Sequence, residues 1–139
     1  MAASKGKMDG LKILIVDDTH EARIMLKNML MEIGITQVFE ASGGREGMRF
    51  MDSAFDFIDI ILCDWNMPEM NGLALLRQLR SVDARFPFMM ITGRGDITSV
   101  AEAKGAGVSG YILKPYSLLQ LETKLRVVTT RAEKLAGAN

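Results

Sequence analysis

The feature that most constrains this chain is a strict alternation of short apolar runs with segments of helical period. The runs cover residues 11–16 (LKILIV), 37–41, 59–63 (DIILC), 88–91 (FMMI) and 111–113 (YIL), the second being the weakest. Three of them lack the apolar/polar alternation of a half-exposed strand, so they read as strands covered on both faces, as in a parallel sheet. Between the first two, Ala22, Met25, Leu26, Met29, Leu30 and Ile33 recur at spacings that make one apolar helical stripe. Gly34 follows as a stop. Residues 45–54 form a less regular second helix. Leu73, Leu76 and Leu79 mark a third, opened by Asn71 as its cap. Residues 97–106 form a fourth, closed by Gly107. Residues 118–136 form a fifth, with Leu118, Leu121, Leu125 and Val128 on one face. Five β-α pairs predict an α/β doubly wound sheet. Right-handed crossovers then place helices on both of its faces.

The length of 139 residues suits one domain. The expected division is a flexible N-terminus (1–10), a single domain (11–136), a C-terminal tail (137–139) and no output domain. Lys plus Arg number 17, as do Asp plus Glu, so net charge favours neither a nucleic-acid nor a membrane partner. The single cysteine, Cys63, has no partner for an internal disulfide and reads as a small core residue, which suits a reducing compartment. Residues 1–10 are small and polar, carry two lysines and lack the apolar core of a signal peptide. No apolar stretch approaches the roughly 20 residues that span a bilayer. The expectation is a cytoplasmic protein.

Doubly wound sheets bind ligands at the carboxyl ends of their strands. In this chain the first run ends in Asp17-Asp18, the third in Asp64, the fourth in Thr92 and the fifth in Lys114-Pro115. Three carboxylates brought together repel unless a cation intervenes. Mg²⁺ is a hard ion suited to one or two carboxylates together with waters and a phosphate oxygen. A lysine beside that ion is useful if further negative charge arrives, and a phosphoryl group supplies it. A carboxylate can itself accept a phosphoryl group as an acyl phosphate, with cations steadying the equatorial oxygens.

The string DWNMPEMNG at 64–72, taken with Asp17-Asp18, Thr92, Gly110-Tyr111 and Lys114-Pro115, resembles the receiver domains of response regulators, closest to their chemotaxis (CheY-like) type. The resemblance covers residues 11–125. It implies a flavodoxin-like fold with strand order 2-1-3-4-5. It also implies that Asp64 is the phosphoacceptor. Asp18 and Asp64 would ligate Mg²⁺ directly, Asn66 through its backbone carbonyl, and Asp17 mainly through water. Thr92 would bond a phosphoryl oxygen, Lys114 would pair with the phosphoryl group, and Tyr111 would act as a switch that follows Thr92. A cis bond at Lys114-Pro115 is implied as well. The implied donor is a histidine kinase or phosphotransfer protein. The implied output is a contact with a downstream target, the flagellar switch being one candidate, made by a monomer that is no enzyme beyond weak self-catalysed phosphorylation and dephosphorylation.

Several positions depart from the CheY-like pattern. Gly93 stands where an alanine is familiar, Arg94 where an acidic residue faces the attacking water, Thr19-His20 where an aromatic residue and a serine are found, and Asp96-Ile97 where the fourth helix opens with a basic pair. The lifetime of the acyl phosphate and the identity of its reader are therefore not carried over, and a regulator outside motility is the alternative. A haloacid-dehalogenase-type phosphatase needs an acid two residues after its nucleophile, and position 66 is Asn. A flavodoxin-like FMN carrier needs a Ser/Thr/Gly-rich phosphate loop after the first strand, where this chain has Asp17-Asp18, which would repel the FMN phosphate. An interaction module that is never phosphorylated would have lost an acid or the lysine. Blander readings stand beside these: Asp17-Asp18 as a turn and helix cap, His20 as an exposed helix start, the methionines (Met25, Met29, Met48, Met89, Met90) as core filler, and Arg126, Arg131 and Lys134 as a solvated face.

Overall fold

The computed structural model describes residue 8 and residues 10–137, with side chains to residue 133. Most of the expected N-terminal segment, most of the expected C-terminal tail and the Lys134 side chain lie outside the described residues. Five strands, β1 (Lys12–Val16), β2 (Gln37–Ala41), β3 (Ile60–Cys63), β4 (Phe88–Thr92) and β5 (Gly110–Leu113), pair in parallel in the order β2-β1-β3-β4-β5. They alternate with α1 (His20–Ile33), α2 (Gly44–Asp52), α3 (Gly72–Val82), α4 (Ile97–Gly105) and α5 (Leu118–Gly137). This is the flavodoxin-like order implied by the motifs.

The unalternating runs have a direct cause. Leu14, Val16, Ile61, Cys63, Phe88 and Met90 point into one core with Met48, Met51, Leu73, Leu76, Leu79 and Ala103 of α2, α3 and α4. Their neighbours Ile13, Ile15, Ile60, Leu62, Met89 and Ile91 point into a second core with Leu26, Leu30, Leu121, Leu125 and Val128 of α1 and α5. Side chains alternate across a strand, so both sets of each central strand must be apolar. Each fully buried Ile or Leu contributes about 1.5–3 kcal/mol. The edge strands show the contrast: β2 and β5 are only partly buried. That explains why the β2 run reads weakly in the sequence.

Helix boundaries follow their caps. Asn71 accepts the Ala74 amide at 2.8 Å and opens α3 as its sequence predicts. Asp96 caps α4 by accepting the Ser99 amide at 3.0 Å. Gly34 ends α1 with φ of 108°, a left-handed conformation that glycine adopts at no steric cost. Three readings need correction. The second helix spans Gly44–Asp52 and ends before Ala54. Met25, placed in the α1 stripe and among the core methionines, is 65% exposed, because it lies about 100° around the helix from Leu26, at the margin of the stripe. Met8, placed in the N-terminal segment, is buried with Ile35 in the α1–α5 core. Cys63 is buried and free, as its apolar setting implies. No described helix is long and apolar enough to cross a membrane.

Gly72 anchors the loop after β3. Its amide donates to the Trp65 carbonyl at 2.8 Å. A Cβ there would collide with the Asp64 carbonyl oxygen and come within 3.0 Å of the Trp65 Cα. Both neighbours are backbone and cannot swing aside. Gly72→Ala is therefore expected to cost about 1–3 kcal/mol in urea unfolding. An unchanged midpoint would show that the loop yields freely.

Candidate functional site

Register assembles the site. Val16 of β1 lies opposite Cys63 of β3, so the next residue of each strand, Asp17 and Asp64, emerges side by side at the carboxyl edge. The Asp64 amide still donates to the Val16 carbonyl at 3.0 Å, and the Asp17 amide to the Ala41 carbonyl at 3.1 Å. Both acids are thus fixed by sheet hydrogen bonds rather than by a free loop. On the other side, the Lys114 amide donates to the Thr92 carbonyl at 2.9 Å, which ties the ends of β4 and β5 together. The Lys114-Pro115 peptide bond is cis.

Each of Asp17, Asp18 and Asp64 offers a carboxylate oxygen within 4.8 Å of those of the other two. Asp17 is buried, Asp64 half-buried and Asp18 exposed. The Lys114 ammonium stands 3.7 Å from Asp64 Oδ1 and 3.9 Å from Asp17 Oδ2. Those distances are ion-pair contacts longer than a direct hydrogen bond. Three negative charges face one positive charge. Asp64 shows the result: burial foremost, then the charges of Asp17 and Asp18, raise its carboxyl pKa above the ordinary 3.8, while Lys114 and the Trp65 amide oppose the rise. The Trp65 amide reaches Asp64 Oδ1 at 2.9 Å. All-oxygen donors with surplus negative charge suit a hard divalent cation such as Mg²⁺.

The Asp17-Asp18 pair is no helix cap in the strict sense. The cap of α1 is Thr19, which makes no side-chain cap bond. Asp17 Oδ1 instead accepts the Thr19 amide at 2.9 Å, a local turn that leaves Oδ2 toward Lys114. His20 is an exposed first residue of α1, as expected.

Thr92 is fully buried at the end of β4, and its Oγ1 accepts the Arg94 amide at 3.2 Å. Tyr111, half-buried on β5, donates its hydroxyl to the Arg94 carbonyl at 2.6 Å. The Arg94 guanidinium donates from Nε at 3.1 Å and from Nη2 at 2.9 Å to Asn66 Oδ1, and lies 5.0 Å from the centroid of the Trp65 ring. One residue therefore joins the loops after β3 and β4 to the β5 tyrosine. Its sequence position shows only that it follows Thr92 by two. Its bridging role depends on where two separate loops and a strand meet. Because Arg94 occupies the Asn66 amide oxygen, the backbone carbonyl is the oxygen Asn66 has left for a metal. A cavity of about 400 Å³ opens beside Asp64, walled by Met25, Leu26, Met29, Ile91 and Tyr116 and edged by Asp17 and Lys114. Its walls come from α1, β4 and the segment after β5, so no single stretch of sequence announces it.

Comparison with known proteins agrees with this geometry. Residues 13–126 match the family described as "Response regulator receiver domain". The chain is 43% identical over 121 residues to "Chemotaxis protein CheY1" of Helicobacter pylori, covering 85% of this chain and 96% of that protein. It is 37% identical over 124 residues to "Chemotaxis protein CheY" of Pseudomonas aeruginosa, covering 87% and 98%. Among solved structures, a response regulator receiver domain protein from Clostridium thermocellum superposes with a TM-score of 0.84 at 27% identity, covering 90% of this chain and 98% of that one.

The shifted Asp64 carboxyl links charge to stability. The folded chain holds that proton more tightly than the unfolded chain, so ionising Asp64 costs folding free energy. The cost is absent well below pH 3.8, appears as pH rises through the interval between the unfolded and the raised folded pKa, and is fully present above it. In metal-free buffer, Asp64→Asn is expected to melt higher than wild type at pH 7, with the difference closing well below pH 3.8. Thermal unfolding in EDTA at both pH values measures it, and a variant that melts lower at pH 7 would contradict the assignment.

Proposed function

This chain belongs to the response regulator receiver family, and from that premise we propose that it is a CheY-like signalling switch that accepts a phosphoryl group on Asp64. The observation that carries the reading is the joint placement of Asp64, Asp17, Asp18 and Lys114 at one sheet edge. Asp18, Asp64 and the Asn66 backbone carbonyl would hold Mg²⁺ directly, with Asp17 acting through water. Bound there, Mg²⁺ supplies charge neutralisation for the transferred phosphoryl group.

The chain's own groups do the rest. An Asp64 carboxylate oxygen attacks phosphorus as the donor's N–P bond breaks, and the bonding pair returns to the imidazole of a histidine kinase or phosphotransfer protein. Lys114 gives up its long contacts with Asp17 and Asp64 for a phosphoryl oxygen, which carries more charge than a carboxylate. Thr92 Oγ1 accepts from Arg94 at rest, so its hydroxyl proton is free to bond another phosphoryl oxygen. Movement of Thr92 is felt at once by Arg94, and through its carbonyl by Tyr111. The resulting population shift is read on the face of α4, β5 and α5. Ile97, Leu113 and Leu119 are 88%, 47% and 71% exposed there, an apolar supply for a protein partner. Hydrolysis by water resets the switch with weak assistance from the chain itself.

The named relatives are chemotaxis proteins, which supports a motility role; the proposal adds a cytoplasmic monomer with the flagellar switch as target. Asp96 and Ile97 at the start of α4 favour the second reading, a single-domain regulator outside motility. Binding to the flagellar switch protein, with and without a phosphoryl mimic, separates the two.

Two measurements test the chemistry. With Mg²⁺ and acetyl phosphate, intact mass is expected to rise by one phosphoryl group in wild type and not in Asp64→Asn or in EDTA. Lys114→Ala should slow the gain about 10²-fold. A normal gain in Asp64→Asn would falsify the proposal. Separately, Mg²⁺ at 100 times its Kd is expected to stabilise the wild type by about 2.7 kcal/mol. Asp18→Asn should lose most of that gain, and an equal gain in the variant would remove Asp18 from the ligand set.

A further inference from the structure

The opposite pole of the sheet carries a second concave site. Where β4 and β5 begin, a cavity of about 220 Å³ opens between the end of α3, the α3–β4 loop, the α4–β5 turn and α5. Arg80, Arg85 and Arg131 line it, and among the described residues no acid does. Asp83 lies close by in sequence, and its Oδ1 accepts the Arg85 amide at 2.9 Å. It offsets only part of the three positive charges. Among the described residues neither Arg85 nor Arg131 forms an ion pair.

The floor is preorganised. Arg80 donates from Nε to the Gly107 carbonyl at 3.0 Å, from Nη1 to the Asp83 carbonyl at 3.2 Å and from Nη2 to Ser109 Oγ at 3.2 Å. A guanidinium has five N–H donors, so two remain. Ser109 Oγ also accepts the Phe88 amide at 3.0 Å. Both of its lone pairs are then in use, and its own proton is left to donate. Burial lowers the Arg80 pKa below the ordinary guanidinium range, with Asp83 opposing, so a bound anion would offset the cost of that half-buried charge. Pro87 and Val108 add an apolar wall.

Guanidinium forks with spare donors, lining one cavity, suit phosphate oxygens. We propose that this cavity binds a small phosphate-bearing anion, gripped by Arg85 and Arg131 over a floor made by Arg80 and Ser109. The site is separate from Asp64 and does not depend on its phosphorylation.

The test uses full-length Asp64→Asn protein without Mg²⁺, so that the carboxyl edge offers no phosphoryl site. Pyrophosphate and ADP are titrated while backbone amide shifts are followed by NMR. Saturable shifts at residues 107–109 are expected. Tighter binding of ADP would identify an organic phosphate lying on the Pro87 and Val108 wall, and equal binding would identify the inorganic group alone. Arg85→Ala and Arg131→Ala, both exposed positions, should each weaken binding about tenfold. The spectrum of each variant reports that it is folded. No saturable shift at 107–109, shifts confined to the Asp17–Asp64 edge, or unchanged affinity in both variants would overturn the proposal.

Discussion

The pairing of β1 with β3 is the constraint on which the rest depends. Val16 opposite Cys63 leaves Asp17 and Asp64 to emerge together, one residue past the last apolar pair of each strand. A slip of one residue would exchange the faces of the strand and move one acid along the edge. Such a slip is costly here because both faces of these strands are packed. Ile13, Leu14, Ile15, Val16, Ile60, Ile61, Leu62 and Cys63 are each at most 1% exposed. The two cores therefore hold the carboxylates at their separation, and hydrophobic burial supplies the precision that acid-rich chemistry needs.

That precision works against stability at the site itself. A half-buried carboxylate beside two others is unfavourable, and Lys114 at 3.7 Å relieves only part of the repulsion. The arrangement makes sense as a site held open for incoming charge. The ionic groups are close enough to respond to a cation or phosphoryl group and too far apart to satisfy one another. The cost is carried by the surrounding strands, whose burial is nearly complete.

Arg94 shows how a local substitution acquires its meaning from its surroundings. Its side chain reaches Asn66 and Trp65, and its backbone holds both Thr92 and Tyr111. The loop after β3 and the tyrosine on β5 therefore share one mechanical link. An acidic residue at this position could not donate to the Asn66 amide oxygen or stack its charge on an indole face. The contacts of Arg94 thus depart from the CheY-like pattern, although Asp17, Asp18, Asp64, Thr92 and Lys114 match it.

The sequence by itself determined the element order, the parallel character of the sheet and the identity of Asp17, Asp18, Asp64, Thr92 and Lys114 as strand-end residues. These are local properties: apolar runs, helical period, caps such as Asn71, and the first polar residue after each run. The motif DWNMP added the family, and with it the strand order. Tertiary structure decided what local pattern cannot carry. It exposed Met25 at the margin of its helical stripe, buried Met8, directed the Asn66 amide oxygen to Arg94, and gathered Arg80, Arg85 and Arg131 around one cavity. Each of these outcomes depends on distances between segments far apart in the chain, which close only when the two cores pack. Asp17 and Asp64 are 47 positions apart, and the β1–β3 register turns that separation into one shared site.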